Sequence, residues 1–359
     1  MVNANFLQKS NLFSYDATSC LRNDYFFNSC EICVDICSKN AFNIVRNKLQ
    51  LFENECIECA ACIGSCPTEA LNISSFDANE YTQNITTCSD EIVSCKKGTP
   101  CLGVFDRHHF ISMVLLKNEN ITCSLSECSE CTLNSDEKMI KSIENKIDES
   151  NEFLDSIGFE HQVIKSFENA QDQNDRRMIF KKAFNSVTDS KEKKKFTLTQ
   201  EYRSKNQNGV PLKYIILKDA IKSNLEAVKN RVISNNNNIF FDKTIEFKSC
   251  TNCGDCIKFC PTNALSATKD NQGIIFQQST CIGCGVCEHI CKTNAITTPT
   301  SFDLVEIAYD RAKELVHYEM VMCHECRTPY PYRGGDPICD RCESFLSNSP
   351  GMFTMAKDL

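Results

Sequence analysis

A chain of 359 residues has room for two or more domains, and its 39 Lys and Arg against 47 Asp and Glu leave a net charge of −8. A pI near 5.4 without an extended basic stripe argues against a nucleic-acid partner. The 12 glycines form neither GxGxxG nor GxxxxGKS/T, which argues against a bound nicotinamide, flavin or ATP of the common kinds. What stands out is cysteine, 26 residues in all, and its spacing carries most of the information.

The first 19 residues include Asn3, Asn5, Gln8, Lys9 and Asn11 and no long apolar stretch, so no secretory signal is expected. No segment approaches the roughly 20 apolar residues of a membrane span. A cytoplasmic protein is expected, with peripheral docking on a membrane complex left open. Cys30-x2-Cys33-x3-Cys37 comes next, with Phe27 where a preceding cysteine would complete the run; Cys20 is the nearby upstream candidate. Cys56-x2-Cys59-x2-Cys62-x3-Cys66-Pro67 is complete. Each run ends in a like tail, Ser38-Lys39-Asn40-Ala41-Phe42 and Pro67-Thr68-Glu69-Ala70-Leu71. Two-residue gaps let one tight loop present three thiolates with little chain entropy to fix, and the cysteine three residues on points away to a second site. Such runs should come in twos.

Residues 88–132 hold six more cysteines without that spacing: Cys88, Cys95, Cys101, Cys123, Cys128 and Cys131. Strands are predicted at 92–95, 120–123 and 161–164, and helices at 105–116 (Phe110, Val114 and Lys117 on one face) and 136–157 (Met139, Ile143, Ile147, Leu154 and Ile157 at helical spacing). Strand, helix, strand, helix, strand implies a small parallel sheet with right-handed crossovers. Cys95 and Cys123 would then end adjacent strands, Cys101 would open a helix, and Cys128-x2-Cys131 would fill the neighbouring loop. Five thiols converging there suggest a further iron–sulfur site, with 2Fe–2S the favoured occupant and a zinc site or plain buried cysteines the alternatives. Cys88 stays unassigned. His108 and His109 are read as ordinary surface or core histidines.

Residues 166–210 are polar, with Arg176-Arg177, a short helix around Met178-Ile179-Phe180 and a lysine run from Lys191 to Lys195 read as a solvated linker face. A helix is predicted over 212–232 on Leu217, Ile221, Leu225, Val228 and Val232, then a break at the asparagines 235–238. Cys250-x2-Cys253-x2-Cys256-x3-Cys260-Pro261 and Cys281-x2-Cys284-x2-Cys287-x3-Cys291 follow, with tails ending Ala264-Leu265 and Ala295-Ile296. His289, inside the last gap, is expected to tune its neighbour rather than bind. A helix is predicted over 302–318. Cys323-x2-Cys326-x12-Cys339-x2-Cys342 closes the series as two CxxC knuckles, the spacing of a tetrahedral zinc site; a single iron would use the same geometry. His324 is expected to face solvent.

The four earlier runs and their tails resemble the bacterial ferredoxin pattern for 4Fe–4S clusters, so residues 20–75 and 245–298 each resemble a two-cluster ferredoxin domain. The ligand crossover of that family implies one cluster on Cys56, Cys59, Cys62 and Cys37, and a second on Cys250, Cys253, Cys256 and Cys291. A third would sit on Cys281, Cys284, Cys287 and Cys260. The remaining site has Cys30, Cys33 and Cys66 with one corner open, for which Cys20 is the candidate; without it a three-iron cluster or a labile cubane is expected. Phe42, Leu71, Leu265 and Ile296 would lid the clusters. The Cys101…Cys123-x4-Cys128 segment also resembles the iron–sulfur delta subunit that links hydrogenase or formate dehydrogenase to heterodisulfide reductase. Zinc knuckles would want two CxxC pairs per site, and disulfides an oxidising compartment; neither matches these runs.

The expected architecture is therefore α+β and multidomain. It comprises a ferredoxin-type domain at 1–80, a small α/β cysteine-rich domain at 85–170 and a helical linker at 171–240. A second ferredoxin-type domain follows at 241–300, then a helix plus zinc-ribbon-like module at 301–359. The expected role is a polyferredoxin carrying four 4Fe–4S clusters, one further 2Fe–2S cluster and one Zn (or single Fe). It would relay single electrons between a donor and an acceptor redox enzyme, with no catalytic residue of its own. The alternative is an electron-input or adaptor subunit of a formate dehydrogenase, hydrogenase or heterodisulfide-reductase-like complex; a redox sensor is a third reading.

Overall fold

The computed structural model describes residues 13–25, 28–87, 92–96, 98–134, 137–168, 209–234 and 239–348. The expected helix at 178–180, the lysine run, the asparagine break and Cys88 lie outside them. The chain is a mixed α/β structure of small two- and three-stranded sheets.

Two regions are built alike. In the first, Phe42–Val45 pairs antiparallel with Lys48–Leu51. Arg46 and Asn47 link them with φ of 50° and 61°, the two left-handed residues that a type I′ hairpin turn demands. Phe13–Tyr15 pairs with Leu71–Ile73 and so zips the ends of the region together. In the second, Leu265–Ala267 pairs with Gly273–Gln277, and Thr244–Ile245 with Ile296–Thr297. Each region carries two one-turn helices against each other, Ile32–Ile36 with Ala61–Ser65 and Asp255–Lys258 with Val286–Ile290.

The second region gains a third strand. Residues 302–318 do not form the expected helix. Ser301–Asp303 is a strand, Leu304–Ala308 a helix capped by the Asp303 carboxylate, and Ala312–His317 a strand on Gly273–Gln277. Asp310 at φ 52° ends the helix, and the strand that follows carries a bulge at Leu315, opposite the step from Ile274 to Ile275.

Between the two regions along the chain comes the expected parallel sheet, Ile92–Val93, Ile121–Ser124 and Val163–Ser166, with Arg107–Lys117 and Lys138–Ser156 as its crossovers. Met139, Ile143, Ile147 and Leu154 are all buried. Arg107–Lys117 is not amphipathic as expected. Every residue from His108 to Leu115 is buried, because helices Ala78–Gln83, Lys138–Ser156 and Leu212–Ser223 surround it. The helix predicted to reach Val232 stops at Ser223. Asn224 caps it, and the Ile157 carbonyl takes the N–H groups of Lys229 and Asn230. Val232, 66% exposed, is instead in the strand Val232–Ser234 paired with Ser301–Asp303.

One apolar core runs through these parts, from Ala60 and Ile73 through Phe105, Phe110 and Phe153 to Leu217, Phe240 and Leu304. A buried ammonium ties it to the first cysteine region. Lys213 Nζ donates to the carbonyls of Gly64 and Cys66 and to Asp106 Oδ2 at 2.7 Å. Burial raises the Asp106 carboxyl, but Lys213 and His108 outweigh it and hold the group well below the usual carboxylate range. Pro211 offers no capping side chain, so Glu69 accepts the N–H groups of Leu212 and Lys213 from 143 residues away. No described helix is long and apolar enough to cross a membrane.

Candidate metal centres

Three of the four cysteine loops share one backbone device. The residues on either side of the middle cysteine are left-handed: Glu58 and Ala60 (φ 56° and 64°), Asn252 and Gly254 (51° and 76°), Gly283 and Gly285 (67° and 71°). These reversals curl the loop so that its three sulfurs face one centre. A helix of one turn follows in each case and carries the third cysteine.

The tails are built alike four times over. Asn40, Glu69, Asn263 and Asn294 are all left-handed, with φ between 51° and 53°. That turn sends the next N–H back onto the fourth cysteine: Ala41 to Cys37 Sγ at 3.3 Å, Ala70 to Cys66 at 3.3 Å, Ala264 to Cys260 at 3.2 Å and Ala295 to Cys291 at 3.2 Å. At Cys291, burial raises the thiol but Thr293 and these N–H donors win, and its pKa falls. Phe42, Leu71, Leu265 and Ile296 then enter strands with 6% exposure or less.

The cysteines meet in sets of four across the paired runs. Cys250, Cys253, Cys256 and Cys291 line one cavity. Cys260, Cys281, Cys284 and Cys287 line another. In the first region Cys20, Cys30, Cys33 and Cys66 line a matching one. Cys56, Cys59, Cys62 and Cys37 gather beside it: burial pushes the Cys62 thiol well up, and the charges of the other three and of Cys33 add to that. Burial and mutual charge likewise push Cys33, Cys256 and Cys281 to about 12 and Cys287 to about 11. Thiols packed this way ionise together only around a cationic centre, which is what an iron–sulfur core supplies.

The loop at Cys30 lacks the left-handed pair, and another device replaces it. Cys20 caps the short helix Leu21–Asp24, and Arg22, 3% exposed, reaches from that helix. Its guanidinium donates to the Cys30 carbonyl at 2.7 Å, to Asn47 Oδ1 at 2.6 Å and to Glu31 Oε1 at 2.9 Å. Asn23 adds bonds to Leu49 N, Tyr15 Oη and Lys48 Nζ. Arg22 thus fastens Cys20 and Cys30 to one hairpin turn, a role the spacing of cysteines alone did not signal.

The second region has its own buried cation. Lys243 lines the Cys281 cavity and donates to Glu288 at 2.8 Å and Thr298 Oγ1 at 2.6 Å.

In the parallel-sheet region the five cysteines divide. Cys123, expected beside Cys95, is in register with Val93 inside the sheet and has no exposure. Burial alone raises its thiol to about 12. Cys95, Cys101, Cys128 and Cys131 lie together instead. Burial lifts Cys101 to about 12, a Gly103 N–H opposes it, and charge on Cys59, Cys128 and Cys131 adds to it; Cys128 reaches about 11, burial again leading, with Cys95 and Cys131 next.

The carboxyl-terminal module is tighter. The sulfurs of Cys323, Cys326, Cys339 and Cys342 all lie within 4.8 Å of one another, with Cys326 and Cys339 3.8 Å apart. Tetrahedral bonds of about 2.3 Å put thiolates roughly 3.8 Å apart, so a single ion fits. The hairpin Glu319–Met322 with Pro329–Tyr332 presents the first knuckle, and the His324 N–H bonds the Pro337 carbonyl to bring up the second. Burial pushes the Cys323 thiol up, but N–H groups of Cys326, Cys339 and Glu325 overcome it and hold it at about 6.

The histidines are elsewhere. His108 bonds Asp106 Oδ2 and the Ile239 carbonyl, and His109 bonds Asn79 and the Asp106 N–H, both fully inside the core. His289 meets the Tyr25 hydroxyl at 3.3 Å, and His324 is exposed.

Residues 249–295 match the 4Fe–4S dicluster domain family. No curated protein matches the chain. The matched segment holds both intact second-region loops, and together with the other cysteine groups it supports an iron–sulfur protein with an electron-transfer role.

Proposed function

We propose that this protein is a polyferredoxin-like carrier with four 4Fe–4S clusters that relays single electrons between a donor and an acceptor redox protein. The observation that carries the reading is the crossed grouping, in which the leading cysteines of each run meet the last cysteine of its partner run. Each ferredoxin-like region would hold two clusters, Cys20 completing the one at Cys30, Cys33 and Cys66. The N–H donors on the fourth sulfurs and the burial of the tails would set potential by hydrogen bonding and water exclusion. The carboxyl-terminal module would hold a zinc ion, or a single iron, as a closed structural site. A reducing cytoplasmic compartment suits so many free thiols. Iron and acid-labile sulfide on anoxically purified protein test this. Four cubanes require about 16 irons per chain; near-zero iron with abundant zinc would contradict it.

A second reading is an electron-input or adaptor subunit of a formate dehydrogenase, hydrogenase or heterodisulfide-reductase-like assembly. It is favoured by the close packing of segment 102–105 on helix Ala61–Ser65, which fixes the sheet region to a cluster pair. Co-purification with a large catalytic subunit supports it, and a free monomer with full carrier activity opposes it.

A further inference from the structure

The cysteine groups adjoin one another in single file. Cys256 and Cys287 sit on the packed helices Asp255–Lys258 and Val286–Ile290 and join the two second-region groups. Cys284 of the Cys281 group and Cys30 of the first region pack on one apolar patch of Leu21, Val210, Tyr214 and Ile282, so the two regions meet at their cluster sites. Cys33 and Cys62 sit on the packed helices Ile32–Ile36 and Ala61–Ser65 and join the two first-region groups.

The file continues into the sheet region. Cys101 caps the turn 102–104, which lies on Ala61–Ser65 with no room for side chains between. A Cβ on Gly103 would stand 3.1 Å from Ala61 Cβ, and one on Gly64 would overlap the Val104 carbonyl. This sets Cys101 against Cys59. On its far side, a 2.7 Å ion pair between Lys96 and Glu127 holds the turn bearing Cys95 on the turn bearing Cys128, and Asn134 Nδ2 bonds the Cys128 carbonyl while its N–H bonds that of Cys131. Among the described residues the tight spacing of a single-ion site occurs at 323–342 and not here. One zinc would draw these sulfurs to about 3.8 Å of each other, whereas a multi-iron core holds them wider.

We propose that Cys95, Cys101, Cys128 and Cys131, without Cys123, hold a fifth iron–sulfur cluster that forms the outer end of one linear path of five centres. The path runs from this site through the Cys56 and Cys30 groups to the Cys281 and Cys250 groups. Its ends reach solvent at the exposed Cys95 and Cys253. Electrons would enter or leave there, each transfer reducing one cluster by one electron as its neighbour is oxidised. The proposal rests on the electron-transfer reading above.

Iron and sulfide counts on anoxic full-length protein test it, comparing wild type with Cys95→Ser/Cys131→Ser and with Cys123→Ala. The wild type should exceed about 16 irons by at least two. The double variant should lose that excess with its sulfide, and Cys123→Ala should keep it. In low-temperature EPR of the reduced protein, the double variant should also lose spin coupling to one neighbouring cluster and leave the remaining signals alone. Cys95→Ser by itself, at an exposed position, repeats the test should the double variant fold poorly. Equal iron in wild type and variant, loss of the excess in Cys123→Ala, or zinc in place of the excess iron overturns the proposal. A wild type far below about 16 irons overturns the underlying electron-transfer reading instead, so the two failures are told apart.

Discussion

The two cysteine regions group their thiols alike by different means. In residues 244–297 both loops curl through left-handed residues, largely glycine and asparagine, and the backbone alone positions the thiols. In residues 13–73 only one loop does so. The other depends on a cysteine ten residues upstream and on a buried arginine that spans helix, loop and hairpin turn. The second region is locally determined, while the first needs side-chain bonds and a helix from residues 212–223 to complete it.

That contrast gives a ranked set of expectations. Lys213→Met should do the most damage, because it leaves Asp106 buried without its cation; a loss of roughly 3–5 kcal/mol is expected. Denaturant unfolding should show it, together with iron loss from the first region. A change below about 1 kcal/mol would mean that the lysine is not the tie. Arg22→Met removes hydrogen bonds to the Cys30 carbonyl and Asn47 and a pair with the half-exposed Glu31 that solvent screens, so a smaller loss of about 2–3 kcal/mol is expected. It should deplete one cluster in the first region and spare the second, as resolved by EPR. Uniform iron loss would erase the contrast.

Within the second region, Gly283→Ala would drive a Cβ into the Phe241 ring at a left-handed position, and about 1–3 kcal/mol is expected from overpacking. Gly285→Ala meets nothing within 4 Å, so only the backbone cost of about 1 kcal/mol remains. Equal effects of the two would refute the packing argument. The smallest effect is electrical. Lys243 is a buried cation beside the Cys281 group, and a nearby positive charge favours the reduced cluster. Lys243→Met should lower that cluster's potential by some tens of millivolts, roughly one charge screened by its Glu288 partner. A rise on redox titration would reverse the sign of the argument.

The cysteine grouping was legible because two-residue gaps leave few geometries for three thiolates, and the parallel sheet because its strands and the helix Lys138–Ser156 keep clean periods. The role of the tails was less so. Asparagine at three of the four left-handed positions, Asn40, Asn263 and Asn294, is a signal that αL tolerance explains, but Glu69 hides it in the fourth. Arg22 carried no signal at all, since its partners Cys30, Asn47 and Glu31 come together only in the fold. The helices expected at 212–232 and 302–318 failed for tertiary reasons. Leu225 and Val228 are buried, as the helical spacing implied, yet they lie past the helix end at Ser223, in turns that the Ile157 carbonyl anchors through Lys229 and Asn230. Strand 312–317 takes its shape from pairing with Gly273–Gln277. Cys123 kept strand-end spacing but faces the core, because register with Val93 places it within the sheet.

The account turns on whether the first region's open corner is closed from upstream. Cys20→Ser, purified without oxygen and compared with wild type by iron count and EPR, tests this most directly. Loss of between one and about four irons, with one cluster signal altered and all second-region signals intact, is the expected result. Unchanged iron and an unchanged spectrum would mean that Cys20 holds nothing and that the two regions do not share one plan.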